Sequence, residues 1–162
     1  MLIFLCILSI LIFLYFIHFL SYFLLKTRIM KKRKWDLNIC CGKMDGGGMN
    51  ADIICYKDMA NFLLLCDIYH LPFKNKAFDY ILCSHTIEHV DDPRRFYNEL
   101  KRVGNSIVLV LPPLWDIVAV LNIWEHKWIF LTFKKEHTTL PPFVPLPFAN
   151  KFQHVFGQRI KA

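Results

Sequence analysis

The chain opens with one long apolar run and continues with short apolar runs separated by polar residues. Residues 2–25 contain no Asp, Glu, Lys or Arg. As a helix this run would be roughly 36 Å long at about 1.5 Å per residue, longer than a hydrocarbon core of about 30 Å. A signal peptide would show a basic start and a cleavage site, and a core helix would show a polar face. The pattern therefore favours a transmembrane helix over residues 1–25.

A basic segment follows the apolar run directly. Residues 26–34 contain six Lys and Arg residues and no acid, and they supply most of the formal charge of +7. Positive residues beside a membrane span stay on the cytoplasmic side, so we expect a single-pass membrane protein whose C-terminal domain is cytoplasmic. The charge indicates attraction to an anionic lipid surface. No aromatic or glycine motif is interleaved with it, and we expect no nucleic-acid partner.

Residues 35–162 are enough for one small domain. Their short apolar runs are mostly without strict alternation, which is typical of strands buried on both faces of a sheet. The five runs are "WDLNICC", "ADIICY", "NFLLLCD", "FDYILCS" and "NSIVLVLPP". The first three are separated by about ten residues or fewer, whereas a parallel crossover normally needs about a dozen or more. Either the crossover helices are vestigial or one early strand pairs differently, so the order of these three strands stays open.

A surface helix is predicted between the fourth and fifth runs. The segment "PRRFYNELKRV" has Phe96 and Leu100 on one side and charges on the other, as an amphipathic helix does. Asp91 or Asp92 can cap it. Strands joined by such a helix predict an α/β fold with a parallel sheet.

The C-terminal third is aromatic and proline-rich. Residues 114–133 are apolar but contain four charged or ionisable side chains, which favours an amphipathic lid or interfacial helix over a second membrane span. Its tryptophans could line a pocket or pack in the core. Residues 137–148 contain several prolines and predict an extended strap without regular structure.

The six cysteines lie mostly inside apolar runs, where cysteine usually acts as a small buried hydrophobe. No CxxC pair is present, and the Cys/His spacing matches no zinc motif. The sequence therefore predicts no metal site.

Two segments hold candidate chemistry. Residues 37–48 run from a strand into a glycine-rich loop, which would let a ligand approach the backbone closely or would simply make a tight turn. Asp67 ends the third run, where a carboxylate could accept from a ligand amine or cap a turn.

Taken together, "LNICCG" and "CDIYHLPFKNKAFDYILCSHTIEHVDDPRRFYNELKRV" resemble class I S-adenosylmethionine-dependent methyltransferases. Within this family the chain resembles the branch with an "LPF-x-x-x-x-FD" segment and an "EH" pair after the fourth strand. The resemblance is dense over residues 65–103 and thinner over residues 37–48. It implies a Rossmann-like sheet, reduced in size, with S-adenosyl-L-methionine as the cofactor.

The resemblance also implies roles for individual residues. Cys40, Cys41 and Gly42 match the loop that contacts the methionine part of the cofactor through its backbone. Asp67 and Ile68 match the positions that flank the adenine. Cys40 replaces the first glycine of this loop, and its Cβ resists a positive φ.

Ser84 and His85 match the end of the fourth strand, which faces the reacting methyl group and the acceptor. His85 is the candidate base if the acceptor must lose a proton; a polar strand-end residue in solvent is the alternative. The carboxylate expected at the ribose aligns near Tyr56, and Asp58 is the nearest acid. The Glu-His pair at 88–89 is expected to be scaffolding.

These observations support a membrane-anchored methyltransferase acting on a small-molecule or lipid-like acceptor. A non-catalytic methyltransferase-like module that binds a partner at the membrane is the alternative, motivated by Cys40 and Tyr56. A domain for another nucleotide is disfavoured, because the chain has no phosphate-binding loop with Lys-Ser/Thr.

Overall fold

The computed structural model describes residues 1–158. It begins with a continuous N-terminal helix, Leu2–Met30, made of α1 (Leu2–Phe19), a π-helical segment (Leu20–Leu25) and α2 (Lys26–Met30). The mean hydropathy of its most apolar stretch is 2.8, and no residue of that stretch is buried in the described structure. By length and composition the helix could cross a membrane, although a signal sequence would pass the same test.

A six-stranded sheet forms the centre of the domain. The strands within residues 1–158 are β1 (Leu37–Ile39), β2 (Met49–Asp52), β3 (Phe62–Leu64), β4 (Phe78–Ser84), β5 (Gly104–Val110), β6 (Trp128–Phe130), β7 (Glu136–His137) and β8 (Phe143–Pro145). The sheet has the order β3-β2-β1-β4-β5-β7, and β7 is its antiparallel edge. The order 3-2-1-4-5 is that of doubly wound sheets. The predicted Rossmann-like α/β fold is confirmed.

The first three strands are parallel neighbours, with β2 between β1 and β3. Residues 40–48 and 53–61 connect them, and within these described loops there is no helix. Of the two alternatives, the first is correct: these connections lack crossover helices, and the three strands still pair in parallel. Side-chain amides hold the first connection instead. Asn38 Nδ2 donates to Asn50 Oδ1 at 3.1 Å, and the same oxygen accepts from the Gly46 N–H at 2.9 Å.

Helix α3 (Pro93–Val103) covers one face of the sheet with buried Phe96 and Leu100. Asp92 caps it, because its carboxylate accepts from the N–H groups of Arg94 and Arg95 at 3.0 Å. The predicted helix and one of its two predicted caps are confirmed.

The end of the N-terminal helix covers the other face. Ile29 and Met30 are buried with Trp35 against Leu82 and Val108 of the sheet. The predicted basic segment, 26–34, is thus partly helical and contributes to the core. The reason is that the helical turn leaves apolar side chains between its lysines and arginines.

The C-terminal part differs from the prediction. Residues 114–133 contain only the four-residue helix α4 (Ile117–Val120) and strand β6, so an interfacial helix over this segment is wrong. Helix α5 (Ala149–Phe156) follows later and has eight residues. The proline-rich strap contains β7 and β8, and β8 pairs with β6 in a separate two-stranded sheet. Pro145 can end β8 because both strands are edges.

Helix α4 lies beside the N-terminal helix. His18 Nδ1 is 3.0 Å from the buried Asp116 Oδ1, and Val118 shares an apolar groove with the helix. Ile117 and Leu121 are 47% and 55% exposed. The apolar surface of the helix therefore continues onto the domain.

Candidate functional site

A cavity of about 380 Å³ opens at the carboxyl ends of β1, β2 and β4. Open α/β sheets bind ligands at this edge. Its walls come from the N-terminal helix, the glycine-rich loop, the end of β2 with the loop that follows it, and the loop after β4. The lining residues are Tyr22, Lys26, Cys40, Cys41, Gly42, Lys43, Met44, Asp52, Tyr56, Ser84, His85, Thr86 and His89.

Two residues of this cavity other than glycine have a left-handed backbone. Cys40 follows β1 with φ 50°, and His85 follows β4 with φ 52°. Such conformations are uncommon for residues with a Cβ and cost about 1–3 kcal/mol, so they are concentrated at functional sites. Cys40 thus has the positive φ that a residue with a Cβ disfavours. Burial raises the pKa of its thiol well above the usual range, which leaves it neutral.

The glycines of the loop have two different functions. Gly42 has φ 57°, and apart from Gly42 and its two chain neighbours no residue of 1–158 has an atom within 4 Å of the place where a Cβ would stand. At Gly46 a Cβ would lie 2.6 Å from the Asn38 Cβ, and at Gly48 it would lie 2.2 Å from the Trp35 carbonyl oxygen. Gly42 therefore leaves room for a ligand, whereas the other two allow close packing within the protein.

The carboxylate in the cavity belongs to Asp52. It ends β2, is 5% exposed, and accepts from the Gly42 and Ile53 N–H groups, both at 2.8 Å. The sequence prediction selected Asp58, because the strand was expected to extend to Tyr56. The strand ends earlier, and Asp58 lies on the exposed part of the following loop. An acid two residues into the apolar run was the signal that could have identified Asp52.

The predicted adenine residues do not line the cavity. Asp67 accepts from the Tyr69 N–H at 2.7 Å and contacts His70 Nδ1 at 2.6 Å. The hydrogen bond to His70 lowers the pKa of Asp67. Ile68 is buried in the core, 4% exposed. In this structure Asp67 caps a turn, which was the alternative interpretation of its position.

His85 lies at the centre of the polar wall. Its side chain is 9% exposed, its Nδ1 is 3.2 Å from Glu88 Oε1, and its Nε2 is 2.8 Å from Lys135 Nζ. Burial, and then the charge of Lys135, hold the pKa of His85 well below its usual range. Burial also lowers the pKa of Lys135 to about 8. A solvated strand-end histidine is excluded by this burial.

The N-terminal helix contributes a wall that the sequence did not indicate. Tyr22 packs edge-on against the His85 ring, with centroids 5.3 Å apart, and Lys26 Nζ lies 4.3 Å from the Tyr22 ring centroid. Ser21 is buried and accepts from Lys135 Nζ at 3.0 Å. Residues assigned to the membrane span thus belong to the site. No local pattern could show this, because Lys135 and His85 come from distant segments.

The cavity has groups that fit S-adenosylmethionine. Ser84 Oγ is buried at its edge without a hydrogen-bond partner among residues 1–158. Gly42 leaves an open cradle, Asp52 provides a carboxylate for hydroxyl donors, and Lys26 provides a cation for a carboxylate. The five cavity residues predicted from sequence, Cys40, Cys41, Gly42, Ser84 and His85, are brought together here.

The comparisons with known proteins point in the same direction. Residues 51–106 match the family described as "Methyltransferase domain". The resemblance to class I S-adenosylmethionine-dependent methyltransferases is thereby confirmed over the matched segment, and S-adenosylmethionine is the cofactor that this family implies. A comparison with curated proteins finds no match.

Several solved structures resemble the fold. A S-adenosylmethionine-dependent methyltransferase from Thermotoga maritima is 20% identical, with a TM-score of 0.43 over 65% of this chain and 58% of that chain. One from Aquifex aeolicus is 19% identical, with a TM-score of 0.43 over 57% and 65%. A protein from Pyrococcus horikoshii is 21% identical, with a TM-score of 0.44 over 64% and 61%. The chain therefore spans less than two thirds of each of these structures.

Proposed function

We propose that this protein is a methyltransferase that its N-terminal helix holds at a membrane, with a lipid-like acceptor. The observation that supports this proposal is that Tyr22 and Lys26, at the end of an exposed apolar helix, line the same cavity as Gly42 and His85. A site with this wall would be next to the bilayer surface. The exposed apolar residues of α4 extend the lipid-compatible surface.

In this proposal the glycine-rich loop holds the methionine end of the cofactor. The backbone of Cys40, Cys41 and Gly42 contacts it, and Lys26 faces its carboxylate. Asp52 replaces Asp58 as the acceptor for the ribose hydroxyls. Asp67 and Ile68 remain the proposed adenine-side pair from the family resemblance. In this arrangement Asp67 would give up its contact with His70 and accept a hydrogen bond from the adenine amine.

When bound, the cofactor supplies a methyl group on a sulfonium, which is a good leaving group. The protein then has to orient the acceptor and exclude water. Tyr22 closes the cavity over His85, and His85 with Lys135 can take a proton from an acceptor hydroxyl or amine. His85 is neutral at physiological pH because burial lowers its pKa. This pair is the proposed base.

Calorimetry with S-adenosylhomocysteine tests the enzyme proposal. We expect the full chain in detergent micelles to bind one equivalent. If no binding is seen with about millimolar ligand, the dissociation constant is above about 1 mM. That result would instead favour the non-catalytic module.

A transfer assay tests the acceptor class. Membranes containing the full chain would be incubated with methyl-tritiated S-adenosylmethionine and then extracted with organic solvent. We expect radioactivity in the organic phase, and we expect a His85→Asn variant to lose it. Label found in acid-precipitated protein would contradict a lipid-like acceptor.

Protease protection tests the proposed orientation. The basic segment predicts a cytoplasmic domain, so protease added to the cytoplasmic face of sealed vesicles should digest the part after Lys34. Digestion only from the opposite face would show that the protein has the opposite orientation in the membrane.

A further inference from the structure

Three buried side chains beside the cavity form a cluster that the methyl-transfer proposal does not use. Glu88, His89 and His126 are 0%, 6% and 4% exposed. Each offers one ligand atom, and these atoms lie within 4.8 Å of one another. Glu88 and His89 follow β4, whereas His126 comes from the segment before β6. The tertiary structure therefore brings two distant segments together at this point.

The cluster is short of hydrogen-bond donors. Neither oxygen of Glu88 has a hydrogen-bond partner among residues 1–158, and His126 Nδ1 has none either. The nearest histidine nitrogens are His85 Nδ1 at 3.2 Å and His126 Nε2 at 4.0 Å from Glu88 Oε1. A buried carboxylate without partners is costly. A bound cation would satisfy both oxygens.

One of the two histidines is oriented by a backbone carbonyl. His89 Nδ1 lies 2.9 Å from the Glu125 carbonyl oxygen and therefore donates to it. A ligating histidine is usually oriented by such a bond from its other nitrogen.

The scaffold around the cluster is fixed by backbone contacts. The Lys127 N–H donates to the Glu88 carbonyl at 2.8 Å, and Trp128 Nε1 donates to the Val90 carbonyl at 2.8 Å. Ligands about 2.0–2.2 Å from zinc lie about 3.3–3.6 Å apart. The observed separations would need to close by roughly 1 Å, within the range of side-chain rotation.

We propose that Glu88, His89 and His126 bind a divalent transition-metal ion, with Zn²⁺ as the representative ion. Two imidazoles and one carboxylate suit zinc and leave one position open. His89 lines the cavity, so the bound ion would lie beside it. The sequence showed no such site because its third ligand is far along the chain and one ligand is a carboxylate.

Zinc titration of the purified full chain tests the site. The protein, in detergent and without a histidine tag, would be treated with a chelator and titrated with Zn²⁺ by calorimetry. We expect one equivalent to bind. Glu88→Gln and His126→Asn should each weaken binding at least about tenfold. His154→Asn, an exposed histidine on α5, is the matched control and should not change it.

X-ray absorption at the zinc edge identifies the ligands in the wild-type protein. We expect nitrogen and oxygen at about 2.0–2.2 Å and no sulfur at about 2.3 Å. Sulfur ligands would assign the zinc to the cysteines and overturn the proposal, as would binding that both substitutions leave unchanged. If a variant fails to fold, the wild-type spectrum alone decides. S-adenosylhomocysteine binding is measured separately, so either proposal can fail without the other.

Discussion

Lys135 Nζ lies 2.8 Å from His85 Nε2 at the wall that the N-terminal helix provides, where Lys135 is buried and the His85 side chain is 9% exposed. A protonated Lys135 donates to His85 and occupies the lone pair that a base would use. Because burial lowers the pKa of Lys135 to about 8, the pair can become free of that proton within an accessible pH range. In the proposed mechanism this contact between two residues 50 positions apart acts as a pH-dependent base.

If the pair accepts the acceptor's proton, methyl transfer should rise as the pH rises through about 8. The Lys135 amine is charged at a pH below its pKa and neutral at a pH above its pKa. Lys135→Arg keeps a charged donor at this place, so its rate should stay low from about pH 7 to about pH 9. Lys134→Arg, at the exposed neighbouring position, is the control. The measurement is the rate of tritium transfer against pH; matching profiles for Lys135→Arg and wild type would refute the role.

Asp52→Asn should weaken S-adenosylhomocysteine binding at least about tenfold. The amide keeps the size of the side chain but replaces one acceptor oxygen with a donor, which opposes the Gly42 N–H. Asp58→Asn should leave the affinity unchanged, because Asp58 lies outside the cavity. Calorimetry on both variants decides between the two carboxylates. A loss of affinity confined to Asp58→Asn would favour Asp58, the residue chosen from the sequence.

Lys26→Met should weaken S-adenosylhomocysteine binding about tenfold, since it removes the cation proposed to face the cofactor's carboxylate. Adenosine, which has no carboxylate, should bind equally well to the variant and to wild type. Lys31→Met tests the same basic segment at an exposed position and should have no effect. Equal losses for both ligands would show that Lys26 only supports the shape of the site.

Glu99→Gln should destabilise the domain by about 1–2 kcal/mol, allowing for partial exposure of the pair. Glu99 Oε1 accepts from the Leu71 N–H and from Arg102, each at 2.7 Å, and thereby ties α3 to the loop after β3. Denaturant unfolding of the full chain measures the change. Lys101→Gln, an exposed position on the same helix, should leave stability within error.

The same contact has a pH dependence with a defined sign. The hydrogen bond from Arg102 holds the pKa of Glu99 below its usual 4.5. Its contribution to stability is therefore complete above about 4.5 and is lost as the pH falls through the lower folded-state value. The difference in unfolding free energy between wild type and Glu99→Gln should shrink on acidification. A difference that grows towards low pH would contradict this assignment.

Much of the fold follows from local patterns. The apolar run determines a helix of membrane-spanning length, the buried runs determine five parallel strands, and Asp92 with Pro93 determines the start of α3. These features depend on hydrogen bonds and side-chain burial within a few residues. The methyltransferase resemblance was likewise visible in the sequence from residue 65 to residue 103.

The composition of the site was decided by the tertiary structure. The short β2 brings Asp52 to the sheet edge, and the cap bonds of Asp67 keep it in its own turn. Tyr22 and Lys26 enter the cavity because the end of an apolar helix packs on the sheet. These placements depend on contacts between segments far apart in the chain, which no local pattern specifies.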